Sequence, residues 1–228
     1  MSLITAESDT LIVGTNAEYA PFTYMENGEI VGFDIDISKE IAHRLGKKIQ
    51  FKNMPFDALI PDVLLGHVDF AAAGMSYTEE RSKRVLFTKN YLAEDPLVIF
   101  SFVKQNIHSE EDLTNKNVVV IEGFSSDLYM SSKKNINLIR LPSQSDGFMA
   151  IKSGRADAFI TAKSTINAFI EKQNGLLYHS IIIPKTGETC AIIVPKMHPE
   201  MLNKIKDTLD AMEADGTLAK IKTKWNLS

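Results

Sequence analysis

The chain has 228 residues, 44% of them hydrophobic and 24% charged, a balance that gives a soluble globular chain of one large domain or two small ones. With 29 acidic residues against 25 basic, a net charge of -4 and no cluster of lysines or arginines, it argues against nucleic acid, and no run approaches the roughly 20 apolar residues of a membrane helix. The single cysteine, Cys190, cannot close an internal disulfide and reads as a small buried apolar residue.

Residues 1–9 lack the basic and apolar regions of a signal peptide. The first strand, around Leu11 to Val13, runs into a loop holding Asn16, Tyr19 and Phe22, and ligands in open α/β sheets bind outside strand carboxyl ends. Asn16 serves equally well to hold its own turn, and Tyr19 and Phe22 to fill a core. Asp34 is placed to cap a helix whose Ile37, Ile41 and Leu45 recur every four residues and which Gly46 stops. A strand follows at Ile49-Gln50-Phe51. Asp57 then starts a second helix with Leu59, Ile60, Val63 and Leu64 inward and Gly66 at its end.

Residues 68–73 form an apolar run too short for a helix, hence a buried strand, which Gly74 terminates. Beyond it Gly74 lets a ligand approach the backbone, Ser76 offers a hydroxyl, and Thr78 with Glu79 and Glu80 has the cap and acidic first turn of a helix that carries Arg81. A guanidinium beside free N–H groups suits a carboxylate in a bidentate pair; the competing reading is an ordinary ion pair with Glu79 or Glu80.

An internal echo marks the second half. Gly66-His67-Val68-Asp69 is matched by Gly154-Arg155-Ala156-Asp157, each closing an apolar-striped helix and opening a short buried strand, which suggests two lobes of one architecture. The lobes should join near residues 91–96, where Pro96 follows an acidic turn, and near the turn-rich residues 184–189. A strand at Val118 to Ile121 leads into Gly123-Phe124-Ser125-Ser126. The tail returns through residues 191–194 to a helix opened by His198-Pro199, with Leu202, Ile205, Leu209 and Met212 at helical spacing, and a last helix after Gly216 in which Leu218, Ile221 and Trp225 pack. His43, His67, His108, His179 and His198 fall on predicted helices, turns or loops away from the strand-end clusters, and neither a nucleophile motif, a metal-ligand spacing nor a P-loop is present. No cofactor and no metal are expected, and the chain is read as a non-enzyme.

Four motifs carry a resemblance: residues 14–22 (GTNAEYAPF), 31–37 (VGFDIDI), 56–61 (FDALIP) and 74–81 (GMSYTEER), in that order. With them the chain resembles the polar amino-acid-binding proteins of ABC importers, the bacterial extracellular solute-binding proteins of family 3, from Leu11 to Trp225. The resemblance implies an α/β, two-lobed periplasmic-binding-protein-like fold of type II, with the ligand cleft between lobes joined by a two-strand hinge. Lobe 1 would comprise residues 1–92 and 190–228, lobe 2 residues 96–185, and the hinge residues 92–96 and 185–190.

It further implies that Arg81, Ser76 and the Gly74-Met75 backbone hold an α-carboxylate, that Tyr19 and Phe56 sandwich the ligand side chain and that Asn16 meets its polar tip. Ser125, Ser126 and Thr161 would come from lobe 2. For Phe56, burial under the second helix is the equal alternative. Family members have an aspartate for the ligand's ammonium where this chain has Ala162, so Thr161, Glu188 or Asp127 must substitute or the ligand lacks a free amine. The neutral Asn16, with Glu18 nearby, leaves arginine and glutamine both open. The implied setting is periplasmic or extracellular, free or lipid-anchored, with the leader trimmed away. The implied partners are an amino acid and an ABC permease in the membrane, with the receptor itself a monomer. A sensor module of a membrane receptor and a dehydratase-like enzyme on the same fold are the alternatives.

Overall fold

The fold is given by a computed structural model in which residues 9–173 and 175–227 are described; residues 1–8, read above for a signal, lie outside them. The first half comprises β1 (Thr10–Thr15), β2 (Glu18–Tyr19), β3 (Thr23–Glu26), β4 (Glu29–Val31), α1 (Phe33–Arg44), β5 (Lys48–Asn53), α2 (Leu59–Leu64), β6 (Phe70–Ala71), α3 (Glu79–Ser82) and β7 (Leu86–Phe87). The long strand β8 (Leu92–Phe102) then opens a second set: β9 (Asn117–Ile121), α4 (Ser125–Ser131), β10 (Asn137–Leu141), α5 (Gln144–Lys152), β11 (Ala158–Ala162), α6 (Lys163–Ile170) and β12 (Tyr178–Cys190). The chain ends with β13 (Ile193–Val194), α7 (Pro199–Ala214) and α8 (Thr217–Lys224).

Two five-stranded sheets result, in the orders β5-β1-β6-β13-β7 and β10-β9-β11-β8-β12, and a three-stranded β2-β3-β4 sheet flanks the first. In each main sheet parallel strands joined through helices form one side and antiparallel strands complete the other. The chain passes from one sheet to the other between β7 and β8 and returns between β12 and β13. These crossings are bonded to each other: Tyr91 N–H donates to the Cys190 carbonyl (3.0 Å), Thr88 N–H to that of Ile192 (3.0 Å), and Ile192 N–H to Thr88 Oγ1 (3.0 Å).

The Gly-x-x-Asp echo is a structural joint used twice. Gly66 and Gly154 both have positive φ, 69° and 73°, where glycine bears no Cβ penalty. Asp69 donates its N–H to the Ile12 carbonyl (2.8 Å) and accepts the Ile12 N–H on Oδ2 (2.7 Å). Asp157 does the same with Asn117, at 2.8 and 2.9 Å. Each joint thus pins the incoming strand to the first parallel strand of its own sheet.

Several expectations need correction. Asp34 does not cap α1: Gly32 stands at the cap position, and the buried Asp34 carboxylate instead accepts bonds from Gly74 N–H and Tyr91 O–H. Leu64 is exposed at 38%, because α2 has a single turn and a half in which only Leu59, Ile60 and Val63 face inward. Residues 68–73 yield only the two-residue β6. The turn-like residues 92–96 and 184–189 lie within β8 and β12, the two strands expected at the hinge, in which Pro96 pairs with Gly187 beside a register shift. Pro96 also sits one residue beyond Leu97, the last partner of β11, so its missing N–H breaks no bond on that side. His179 lies in β12, its ring tilted by 40° against that of His108 at 4.6 Å.

The tail behaves as its spacing requires. Ile205, Leu209 and Met212 of α7 and Leu218 of α8 are buried, with Leu202 partly so. Trp225 follows α8, donates Nε1–H to Asp36 Oδ2 (2.8 Å) and stands edge-on to Tyr24 at 6.0 Å. It also borders a groove of about 230 Å³ whose far wall is Ser164, Asn167 and Lys172. Cys190 is buried and unpaired. No helix among the described residues is long and apolar enough to cross a membrane, and none of them form a group of three or more side chains able to hold a metal.

Candidate functional site

Arg81 is carried into the interior by a short helix whose cap was legible. Thr78 accepts the Arg81 N–H on Oγ1 at 3.1 Å, and Arg81 as a whole is only 8% exposed. Its Nη1 donates to the Ser76 carbonyl (2.8 Å) and its Nη2 to the carbonyl of Gly123 in the opposite lobe (2.8 Å). Its Cζ lies 5.5 Å from the centre of the Phe56 ring. No carboxylate lies within ion-pairing distance among the described residues, so the predicted alternative pairing with Glu79 or Glu80 is not made. Burial draws the Arg81 pKa down, against the fields of Glu188 and Glu80. Next to it the buried Ser76 hydroxyl has no hydrogen-bond partner among the described residues. A desolvated cation with only carbonyl partners, beside an unsatisfied hydroxyl, has the chemistry of an anion site.

Tyr19 is almost fully buried, and its hydroxyl donates to Glu188 Oε2 at 2.8 Å. Burial pushes the Glu188 carboxyl up to about 7; the Tyr19 bond opposes this, the neighbouring charge of Asp95 adds to it and Arg81 opposes it. Gly74 is where it must be for this ring: a Cβ there would stand 2.6 Å from Tyr19 Cε1, and φ is +62°. Its N–H is given to Asp34, so it does not point to the cleft as a free donor. Burial likewise raises the Asp34 carboxyl, to about 6, against the bonds from Gly74 and Tyr91.

The other predicted residues are distributed around this centre. Asn16 is buried and donates Nδ2–H to the Met54 carbonyl (3.1 Å). The Met75 side chain packs in the core beneath α2, and its carbonyl accepts the Ala191 N–H. Ser125 and the more deeply buried Ser126 open α4. Thr161 donates to Gln144 Oε1 at 3.2 Å. Asp127 is engaged by Gly123 N–H, Ser131 and Arg140. Ala162 is buried at the start of α6, whose first turn is held by Asp95 through Ser164 N–H and Oγ.

Sequence reasoning missed Phe124. Its ring lies 4.8 Å from Tyr19 and 4.4 Å from Phe56, so the two aromatics predicted to flank a ligand both meet a side chain from the other lobe. The core cluster that includes Leu11, Phe33 and Tyr19 also contains Phe124, Val119 and Phe159. An apolar residue in a strand-to-helix loop gives no signal for this, since burial within its own lobe is the commoner fate. Beside Arg81 an opening of about 230 Å³ remains, lined by Phe56, Ile60, Arg84, Gly123 and Leu128.

The model of bacterial extracellular solute-binding proteins, family 3, matches residues 11–228. The chain belongs to this family. It is 32% identical over 223 residues to the arginine-binding extracellular protein ArtP of Bacillus subtilis (strain 168), covering 94% of this chain and 85% of that protein. An ancestral arginine-binding protein solved with arginine superposes with a TM-score of 0.90 at 37% identity, over 95% of this chain and 98% of the other. The structure of an ancestral arginine-binding protein with glutamine gives a TM-score of 0.89 at 37% identity, over 96% and 98%. These relatives are binding proteins and not enzymes. The family-3 chain described here accordingly has the type II periplasmic-binding-protein fold and is an extracytoplasmic solute receptor.

Proposed function

We propose that this family-3 receptor captures an L-amino acid of the arginine or glutamine class between its lobes and hands it to an ABC permease. The observation that carries this reading is Arg81, buried without an acidic partner among the described residues and beside the unsatisfied hydroxyl of Ser76. A ligand carboxylate meets both needs, because charge-assisted bonds to a guanidinium are about twice as strong as neutral ones. The arginine-binding names of the relatives support the class, and so does a cleft whose charged and polar groups stand beside aromatic rings.

In this reading Tyr19 and Phe56 flank the ligand side chain, Asn16 meets its tip, and Ser125, Ser126 and Thr161 contribute from lobe 2. Gly74 acts by admitting the Tyr19 ring, and Met75 by packing beneath the clamp. Glu188 takes the ammonium in place of the aspartate that Ala162 replaces: Thr161 is tied to Gln144 and Asp127 accepts three bonds within its own lobe, whereas Glu188 is a buried carboxylate that accepts one bond, from Tyr19 on Oε2, and feels the charge of Arg81. The hinge is the pair of strands at residues 92–96 and 185–190, with residues 1–92 and 190–228 moving as one lobe and 96–185 as the other. Closure excludes water and strengthens each charged bond.

The test is a thermal-shift screen of refolded protein against the twenty amino acids with ornithine and citrulline. Stabilisation by arginine, glutamine or close relatives is expected, growing with concentration as mass action requires. No shift with any of them would overturn the reading.

A further inference from the structure

Lobe 2 sends one large side chain into the space that lobe 1 frames. Phe124 is 4% exposed, and its ring lies against those of Tyr19 and Phe56, at 4.8 and 4.4 Å. Its own N–H donates to the Ile121 carbonyl (3.1 Å) and its carbonyl accepts the Leu128 N–H (3.1 Å), and the residue before it is tied on both sides. Gly123 N–H donates to Asp127 Oδ2 (3.1 Å), Arg140 Nε donates to Asp127 Oδ1 (2.9 Å), and the Gly123 carbonyl accepts the Arg81 bond across the cleft (2.8 Å). The protein's own backbone thus stands at the guanidinium, and its own ring stands at the aromatic pair.

We propose that Phe124 is a specificity-determining plug, an internal stand-in for a ligand side chain that an amino acid with a long side chain must expel in order to bind. The proposal rests on the receptor reading above and adds to it which ligands the cleft favours. A side chain attached to the site competes with any ligand that needs the same volume, and apparent affinity falls by the fraction of molecules in which the slot is free. A compact amino acid needs the Arg81 clamp but not the slot, so it bears less of this cost.

Phe124→Ser and Phe124→Leu, with the wild type, test this by calorimetry with arginine, glutamine and alanine and by small-angle scattering with and without arginine. Phe124→Ser is expected to tighten arginine and glutamine by about tenfold or more, the scale of burying one large apolar side chain, and alanine by less than about threefold. Phe124→Leu should fall between. Without added amino acid the wild type should scatter as a compact particle, and Phe124→Ser as an expanded one that contracts with arginine. Weaker arginine binding by Phe124→Ser, with alanine unchanged, would overturn the proposal, because Phe124 would then be a contact that helps the ligand. If no amino acid binds any variant, the receptor reading fails and scattering alone decides: a compact wild type beside an expanded Phe124→Ser supports the plug, and equal dimensions overturn it.

Discussion

The two lobes are built on one joint and differ in what they bring to the cleft. Asp69 in lobe 1 and Asp157 in lobe 2 clamp a neighbouring strand through the same pair of backbone bonds. Beyond that joint lobe 1 presents a buried cation, an unsatisfied hydroxyl and an amide, in Arg81, Ser76 and Asn16. Lobe 2 presents Phe124 and, at Ala162, a methyl where an acid is expected. Backbone geometry fixes the joint, because a turn with positive φ and a strand clamp admit few residues. The strand ends carry no such constraint, so the chemistry of the site is free to be asymmetric.

The largest expected effect removes what lobe 1 alone supplies. Arg81→Ala should weaken amino-acid binding by at least about 100-fold while the circular dichroism spectrum stays unchanged, since one partner of a buried charge-assisted pair is lost. Affinity retained within a few fold would place the carboxylate elsewhere.

Glu188 sharpens the comparison from the hinge side. Its carboxyl, raised from 4.5 to about 7 in the fold, keeps a proton that the unfolded chain has already lost between those values. The fold therefore loses stability as pH rises through that window, and below it the group contributes no difference. Glu188→Gln should stabilise the protein by on the order of 2 kcal/mol at pH 8 and by almost nothing at pH 4, read as the midpoint of urea unfolding. The same variant should bind amino acids about tenfold more weakly at pH 8, where wild-type Glu188 is ionised and can pair an ammonium. A pH-independent difference in stability would show that the carboxyl is not perturbed.

The smallest effect tests the shared joint. Asp69→Ala and Asp157→Ala should each cost about 1 kcal/mol, the net worth of a hydrogen bond to a charged acceptor at a partly exposed site. The two costs should be similar, with ligand affinity unmoved. A large inequality in urea unfolding would mean that the echo in sequence is not an echo in energetics.

Local signals carried most of the fold. The Thr78 cap, the Gly66 and Gly154 joints, the stop at Gly46 and the His198-Pro199 helix start each involve a few consecutive residues, so the sequence exposes them. Asp34 misled because its carboxylate is satisfied by Gly74 and Tyr91, which are distant in the chain. Pro96 and the residues around Gly187 look like turns in isolation, and only pairing across the hinge makes them strand. At the site, Arg81, Ser76, Asn16 and Tyr19 were named from strand ends and Phe56 from the family resemblance. The entry of Phe124 from the opposite lobe was not, because no spacing within one lobe encodes a contact between two.

Trp225 gives the molecule a built-in optical gauge. It is the sole tryptophan of the chain, anchored to lobe 1 through Asp36 and Tyr24, and it borders a groove whose opposite wall belongs to α6 of lobe 2. Any rotation of one lobe against the other changes how much water reaches that indole. Opening and closing can therefore be followed in real time from the wavelength of its emission, with no label attached.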